Sequence, residues 1–271
     1  YYLRRAQQRV PTFSFRTLVT NEFNLAQIKS QGGATSYDAH SQGFVKRYTH
    51  VAYSLGYVVT REERDDNLYK SRSFKRGEQL SFSFRTTKEI VAANVLNRAF
   101  DTNYTGGDGK ALCVTDHPSL AGNWSNTLAT AADLSEASLE TMLVNISLAK
   151  NSRGLPIAIR GKKLIVSPSD AFNAERILKS ALQNDTANNA VNAIRSMGLL
   201  PGGYMVNHYL TDTDAWFVKT DAPDGLLGFQ RQAFEFTQDN DFDTENAKAK
   251  GYERYSFGWT DPRGLYGSPG A

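Results

Sequence analysis

The stretch KGYERYSFGWTDPRGLYGSPGA, residues 250–271, decides how the rest of the chain is read. Chain ends are commonly the loosest part of a domain, yet this one carries Tyr252, Tyr255, Phe257, Trp259 and Tyr266. Tyr255, Phe257 and Trp259 alternate with Arg254, Ser256 and Gly258, the two-residue period of a half-buried strand. The spacing predicts that the end of the chain is a structural strand tied into a sheet, with Pro262 closing it.

A strand of that kind needs partners, and residues 42–63, QGFVKRYTHVAYSLGYVVTREE, are the strongest extended candidate. Val45, Arg47, Thr49, Val51, Tyr53, Leu55 and Tyr57 fall on one side; Phe44, Lys46, Tyr48, His50, Ala52 and Ser54 fall on the other. Fourteen or so residues at about 3.3 Å each run ~45 Å, well beyond the usual strand. Neither side is cleanly apolar, so the pattern predicts a long two-stranded ribbon leaving the body of the protein and needing a surface to lie on. A turn-rich segment with Gly32, Gly33, Asp38 and Gly43 precedes it.

Thr60 and Glu63 then form a candidate capping box, and residues up to Phe100 contain no proline. TTKEIVAANVLNRAF (86–100) is strongly helical, whereas Gly77 and SFSF (81–84) weaken the middle. Thr86 and Glu89 form a second candidate box, which leaves one helix or two open. As one helix, about 40 residues would span ~60 Å. Further on, a helix is expected from Leu134 to Lys150 with Asp133 and Glu136 at its start. A strand at KKLIVSP, a helix from Ser169 to Leu182 and an Asn-rich loop follow. Strands at GYMVNHYL, AWFVKT and LGFQRQAFEFTQ precede the closing one. No internal repeat shows.

Composition excludes several classes. The 271 residues have room for one large domain or two modest ones. A net charge of +3 is too small and dispersed for a dedicated nucleic-acid or membrane-surface protein. Cys113 stands alone, so no intrachain disulfide can form, which suits a reducing cytoplasm. The apolar runs fall short of the ~20 residues a membrane span requires, and YYLRRAQQRV at the start lacks the apolar run of a signal peptide.

The chemical motifs are weak. GGDGKA (106–111) has Tyr104 and Ala111 where a phosphate loop requires Gly and Ser or Thr, and reads as a turn. DFDTENAKAK (241–250) and the two residues before it resemble a calcium loop, but with Thr244 in place of Gly and Lys250 in place of the bidentate Glu. They read as an acidic turn between strands. Asp116, His117 and Ser119 lie too close in sequence to line up as a catalytic relay, and no G-x-S-x-G elbow occurs. His40, His50 and His208 have no metal-ligand spacing, and Cys113 reads as a small buried residue. No catalytic, cofactor-binding or metal-ligating residue is expected.

In their order, QGFVKRYTHVAYSLGYVVTREE, TTKEIVAANVLNRAF, RGLPIAIRGKKLIVSPSDAFNAERILKS, DAWFVKTDAPDGLLGFQRQAFEF and DFDTENAKAKGYERYSFGWTDPRGLYG resemble tailed-bacteriophage major capsid proteins of the Hong Kong 97 type, and Mu-like major head subunits in particular. The resemblance implies an α+β fold: an N-terminal arm (1–23), an extended β-hairpin loop (24–58), a peripheral domain with a long spine helix (59–118 and 226–271) and an axial α/β domain (119–225). It implies an icosahedral shell of pentamers and hexamers in the virion, assembled in the host cytoplasm, enclosing double-stranded DNA held without sequence specificity. Portal, scaffolding and decoration proteins would be partners, and no membrane would be. An upstream scaffolding segment, removed in part of the family, would account for the absence of an initiator Met. The implied inter-subunit contacts are Phe44, Lys46, Arg47, Tyr48, His50, Tyr53 and Tyr57, and the implied axial tip is Asn184, Asp185, Asn188 and Asn189. Encapsulin shells share the fold and are the nearest alternative; an α/β hydrolase using LIVSPSD with Asp116, His117 or Ser119 is a distant one.

Overall fold

A computed structural model describes residues 3–5, 13–20, 25, 28–29, 34–35, 37–38, 41–66, 69–183 and 190–271. In chain order its elements begin with β1 (Leu3–Arg5), β2 (Phe13–Thr20), β3 (Ser41–Thr49), β4 (Val51–Val59), α1 (Arg61–Asp65) and α2 (Tyr69–Asn97). Then come α3 (Glu136–Ser147), β5 (Gly161–Val166), α4 (Ala171–Lys179) and α5 (Ala193–Met197). The chain closes with β6 (Tyr204–Val206), β7 (Trp216–Thr220), β8 (Leu226–Asn240), β9 (Ala247–Trp259) and β10 (Leu265–Ser268). They fall into two units.

The first unit comprises residues 1–14, 47–95 and 227–258. Its sheet has the order β1-β8-β9-β4, so the aromatic strand β9 is internal. It pairs antiparallel with β4 from Val51↔Tyr255 to Val59↔Ala247, while β1 runs parallel to β8. The helix α2 is continuous over 29 residues, about 43 Å. Gly77 and SFSF do not divide it, because Leu80 and Phe84 are buried and packing overrides local propensity. Phe84 meets Phe234 of β8 edge-on at 4.9 Å. Lys88 reaches β9, pairing with the buried Glu253 at 2.5 Å and lying 5.1 Å from the Tyr255 ring centroid.

Both capping expectations change in detail. The Thr60 hydroxyl accepts the Glu63 amide at 3.3 Å, but the Glu63 carboxylate takes the Arg76 guanidinium in two hydrogen bonds of 2.9 and 3.0 Å. Half the box forms, and the other half ties α1 to α2. The second box, at Thr86, lies inside α2, where nearby hydroxyls turn back on the helix: Thr87 donates to the Ser83 carbonyl at 2.8 Å. The acidic run at 241–246 is the turn between β8 and β9. The Asp241 amide donates to the Asn246 carbonyl at 2.9 Å, Glu245 adopts φ of 54°, and Lys248 and Arg61 pair with Asp241 and Glu245.

The second unit comprises residues 15–46, 96–226 and 259–271. Its sheet has the order β10-β7-β5-β6; β10 and β5 flank β7 antiparallel, and β6 joins β5 in parallel. Leu139, Met142, Leu143 and Ile146 recur at helical spacing on α3 and pack with Leu164, Val166, Trp216, Val218 and Tyr266. The start of α3 is two residues later than Leu134. Ser135 caps it, and the reciprocal partner is Ser138 rather than Glu136. Sequence patterning missed α5 and extended β6 too far, since only Tyr204–Val206 pair. Backbone meets backbone where Gly264 crosses Gly225: a Cβ on Gly264 would lie 2.3 Å from the Gly225 Cα.

Candidate functional site

Residues 41–59 carry all of the expected inter-subunit contact side chains, and the structure divides them. β3 pairs with β2, from the segment expected to be an arm, whereas β4 pairs with β9. β3 and β4 therefore do not form a hairpin with each other. One residue, His50, separates them, and the buried face switches there. Lys46, Tyr48 and His50 point inward before the break; Tyr53, Tyr57 and Val59 do so after it. A shift of one residue exchanges the faces of a strand, which is why one alternation could not describe both.

Tyr48 and His50 are each 3% exposed. Tyr48 packs on Phe229 at 4.8 Å between ring centroids and against Gly258, where a Cβ would fall 2.7 Å from its ring. The His50 Nδ1 lies 3.0 Å from the Ser256 hydroxyl. Their surface is taken by their own chain and leaves little for a neighbour. Tyr53 stacks on Tyr255 at 4.6 Å, and burial together with Glu253 pushes its phenol above the usual range. Tyr57 is half-buried. Lys46 donates to the Thr105 carbonyl and lies 5.1 Å from the Trp259 ring centroid; burial pushes its ammonium down, with Asp108 opposing.

What β3 and β4 do present is Phe44 and Arg47 from the expected set, together with Val45, Val51, Leu55 and Val58, all of them exposed. The apolar character of Val45, Val51 and Leu55 was visible in sequence, but Arg47, Thr49 and Tyr57 on the same apparent face obscured it. Among the described residues β4 has a neighbouring strand on one side only. Its outer edge is then a template for pairing with another chain. Asn184, Asp185, Asn188 and Asn189 lie outside the described residues.

His50 also gives this strand a pH dependence. Burial, with the charges of Arg231 and Arg254, holds its imidazole below the ordinary value. The unfolded chain therefore takes up the proton first as pH falls. The linked stability is complete above about pH 6.5 and is lost as pH drops through the depressed folded value. Denaturant melts of wild type and His50→Gln at pH 7.5 and pH 5 should show the wild type losing more stability on acidification. Equal losses would refute the assignment.

The residues weighed as a relay are engaged elsewhere. His117 is buried and stacks on Trp124 at 4.7 Å; its Nδ1 lies 2.7 Å from the Asp108 carboxylate and its Nε2 3.2 Å from Asn126 Oδ1. Ser119 donates to the Gly122 carbonyl at 2.6 Å, and Asp116 pairs with Lys110. A cavity of about 380 Å³ lies beside them, lined by Phe44, Leu120, Trp124, Pro262, Asp108 and Arg263 among others. Its guanidinium is held over Trp124 at 4.8 Å and donates to the Lys150 carbonyl. Cys113 is buried, which raises its thiol well above the ordinary range. Residues 106–111 form a turn in which the Gly106 amide donates to the Lys110 carbonyl at 2.6 Å.

A family model described as phage capsid protein matches residues 44–268. No curated protein matches the chain. The fold resembles the mature capsid of bacteriophage PhiM1, with a TM-score of 0.57 at 12% identity, covering 98% of this chain and 83% of that one. It also resembles a virus-like particle from Pyrococcus furiosus (TM-score 0.54, 11% identity, 98% and 89% covered). Mycobacterium phage Che8 is a third (TM-score 0.52, 16% identity, 95% and 84% covered). These identities speak for the fold alone, which is the mixed α+β capsid fold of the Hong Kong 97 type.

Proposed function

This chain belongs to the phage capsid protein family, and from that premise we propose that it builds a phage head by covering the outer edge of β4 and the apolar side chains exposed along it with neighbouring copies. It is a major capsid shell protein, and its place is the virion. The single observation carrying the mode of assembly is the edge position of β4, with Val51 and Leu55 exposed on one face of the strand and Val58 on the other. Isolated subunits rarely leave a free strand edge with exposed apolar side chains uncovered. Repeated contacts of one patch with a different patch generate rings, here the pentamers and hexamers of an icosahedral wall around double-stranded DNA.

The finer division follows the two units. The unit with α2 and the β1-β8-β9-β4 sheet takes the peripheral role. The unit with α3, α4 and α5 takes the axial role. The β10–β7 ladder supports placing residues 259–271 with the axial part rather than the peripheral one. Portal, scaffolding and decoration proteins complete the particle, which forms in the host cytoplasm. The likeness to the Pyrococcus particle concerns the fold, and the family match favours a phage head over an enzyme-enclosing shell.

The test replaces Val51, Leu55 and Val58 by Lys, since edge charges oppose strand addition. The triple variant should keep its far-ultraviolet dichroism and remain soluble, while shells counted by negative-stain microscopy fall at least tenfold. Normal shells would refute the role of β4.

A further inference from the structure

The described residues around the cavity near His117 all belong to the second unit, and much of the wall is apolar: Phe44, Pro118, Leu120, Trp124 and Pro262. Its volume of about 380 Å³ falls within the ~300–1,000 Å³ usual for small-molecule pockets. Phe44 and Leu120 are exposed, and apolar side chains left open around a hollow mark a binding site rather than ordinary surface.

Most polar groups of the wall are spent on their own chain. Ser119 donates to the Gly122 carbonyl. Asp108 faces the His117 Nδ1 at 2.7 Å and accepts the Lys110 amide at 3.1 Å. Arg263 differs. Its side chain is 8% exposed, its Nε donates to the Lys150 carbonyl at 2.9 Å, and its guanidinium lies over Trp124. Nη1 and Nη2 make no hydrogen bond among the described residues; the Asp261 carboxylate faces Nη1 from 3.6 Å, beyond hydrogen-bond reach. A guanidinium carries five N–H donors, and buried donors almost always find an acceptor. Here the end left to face the cavity has none.

The kind of acceptor follows from charge. Asp261 and Asp108 already set two carboxylates near this one guanidinium, and a third negative charge would be repelled. Lys46, the other cation near Asp108, is turned to the Thr105 carbonyl and the Trp259 ring. We propose that the cavity binds a compact apolar molecule carrying an uncharged carbonyl oxygen, as in an amide, ester or ketone. The oxygen accepts from the Nη1–Nη2 end of Arg263, and the apolar part lies against Phe44, Leu120 and Pro262. This inference stands on the second unit alone and is independent of how copies assemble.

Three probes of nearly one shape separate the contributions: acetanilide has the carbonyl, isobutylbenzene lacks it, and phenylacetate has a carboxylate instead. Each is titrated against the full chain, as wild type, R263K and F44A, by ligand-observed saturation-transfer NMR. Acetanilide should bind wild type about tenfold more tightly than either other probe, the effect of a hydrogen bond to a charged donor. R263K keeps the charge without the planar fork and should erase that preference, whereas F44A should weaken acetanilide and isobutylbenzene alike. Equal binding of acetanilide and isobutylbenzene, tightest binding of phenylacetate, or a preference that survives R263K would overturn the assignment. So would indifference to F44A, which would place the probe elsewhere, or no binding of any probe, which would leave the cavity to water. Wild-type shells should bind acetanilide as the unassembled V51K/L55K/V58K chain does. Exclusion from shells alone would hand the cavity to a side chain of a neighbouring copy and overturn the small-molecule site. Should V51K/L55K/V58K still form shells, the β4 reading fails while the wild-type titrations stand.

Discussion

Ending the chain at Ala249 should abolish soluble, assembly-competent protein. The deletion removes residues 250–271, and with them the part of β9 that pairs with Val51 to Gly56 and the whole of β10. Tyr255, Trp259, Leu265 and Tyr266 are all buried. At about 1.5–3 kcal/mol for each large side chain withdrawn from water, their loss is roughly 6–12 kcal/mol. That is comparable with the entire stability of an ordinary domain, about 5–15 kcal/mol. Both units suffer, because the segment closes an internal strand in one and an edge strand in the other. A graded control is Tyr255→Ala, which empties the space between Tyr53, Phe257 and Lys88. It should cost about 3 kcal/mol and lower the denaturant midpoint without eliminating the protein. Soluble shells from the truncated chain, or an unchanged midpoint for Tyr255→Ala, would show that the closing strand is dispensable.

The strand of that first prediction was legible in sequence because alternating Tyr, Phe and Trp leave a strong two-residue period. Its partner was also visible as a run, but not its division at His50. A one-residue break leaves no mark in composition, and its consequence, the exchange of faces, is decided by what lies opposite. Tyr48 turns inward because Phe229 and Gly258 make room for it, and those residues are some 180 to 210 positions away. The same reason explains the continuity of α2. Gly77 and SFSF are poor helix sequence, yet Phe84 has Phe234 to meet. Local signals at Thr60 and in the 241–246 turn were read correctly in kind, because a cap and a tight acidic turn involve only nearby atoms. The juxtaposition of Lys163 and Lys219 was invisible, since they come together only through the register of β5 against β7.

Asn126 shows how much can rest on one side chain that no motif announces. It is 0% exposed. Its Nδ2 donates to the Leu112 carbonyl at 2.7 Å, the Leu265 carbonyl at 3.0 Å and the Pro262 carbonyl at 3.3 Å. Those bonds fix the amide orientation, leaving Oδ1 to accept the Val114 amide at 2.9 Å and the His117 Nε2 at 3.2 Å. The His117 ring must therefore donate from Nε2, while its Nδ1 faces Asp108. Asn126→Ala orphans the Val114 amide and several carbonyls away from water, each at about 1–3 kcal/mol. The expected loss is roughly 3–6 kcal/mol, or on the order of 10 °C in melting temperature. Asn126→Asp should not rescue it, because a carboxylate offers the carbonyls of Leu112 and Leu265 no donor. Tryptophan fluorescence is the appropriate measurement: Trp124, Trp216 and Trp259 all belong to the unit that contains Asn126, and Trp124 stacks on the His117 that Asn126 holds. A tryptophan-detected midpoint within about 1 °C of wild type for Asn126→Ala would mean that these buried groups find other partners, and that the loops joining residues 112–117 to 262–265 are held by something else.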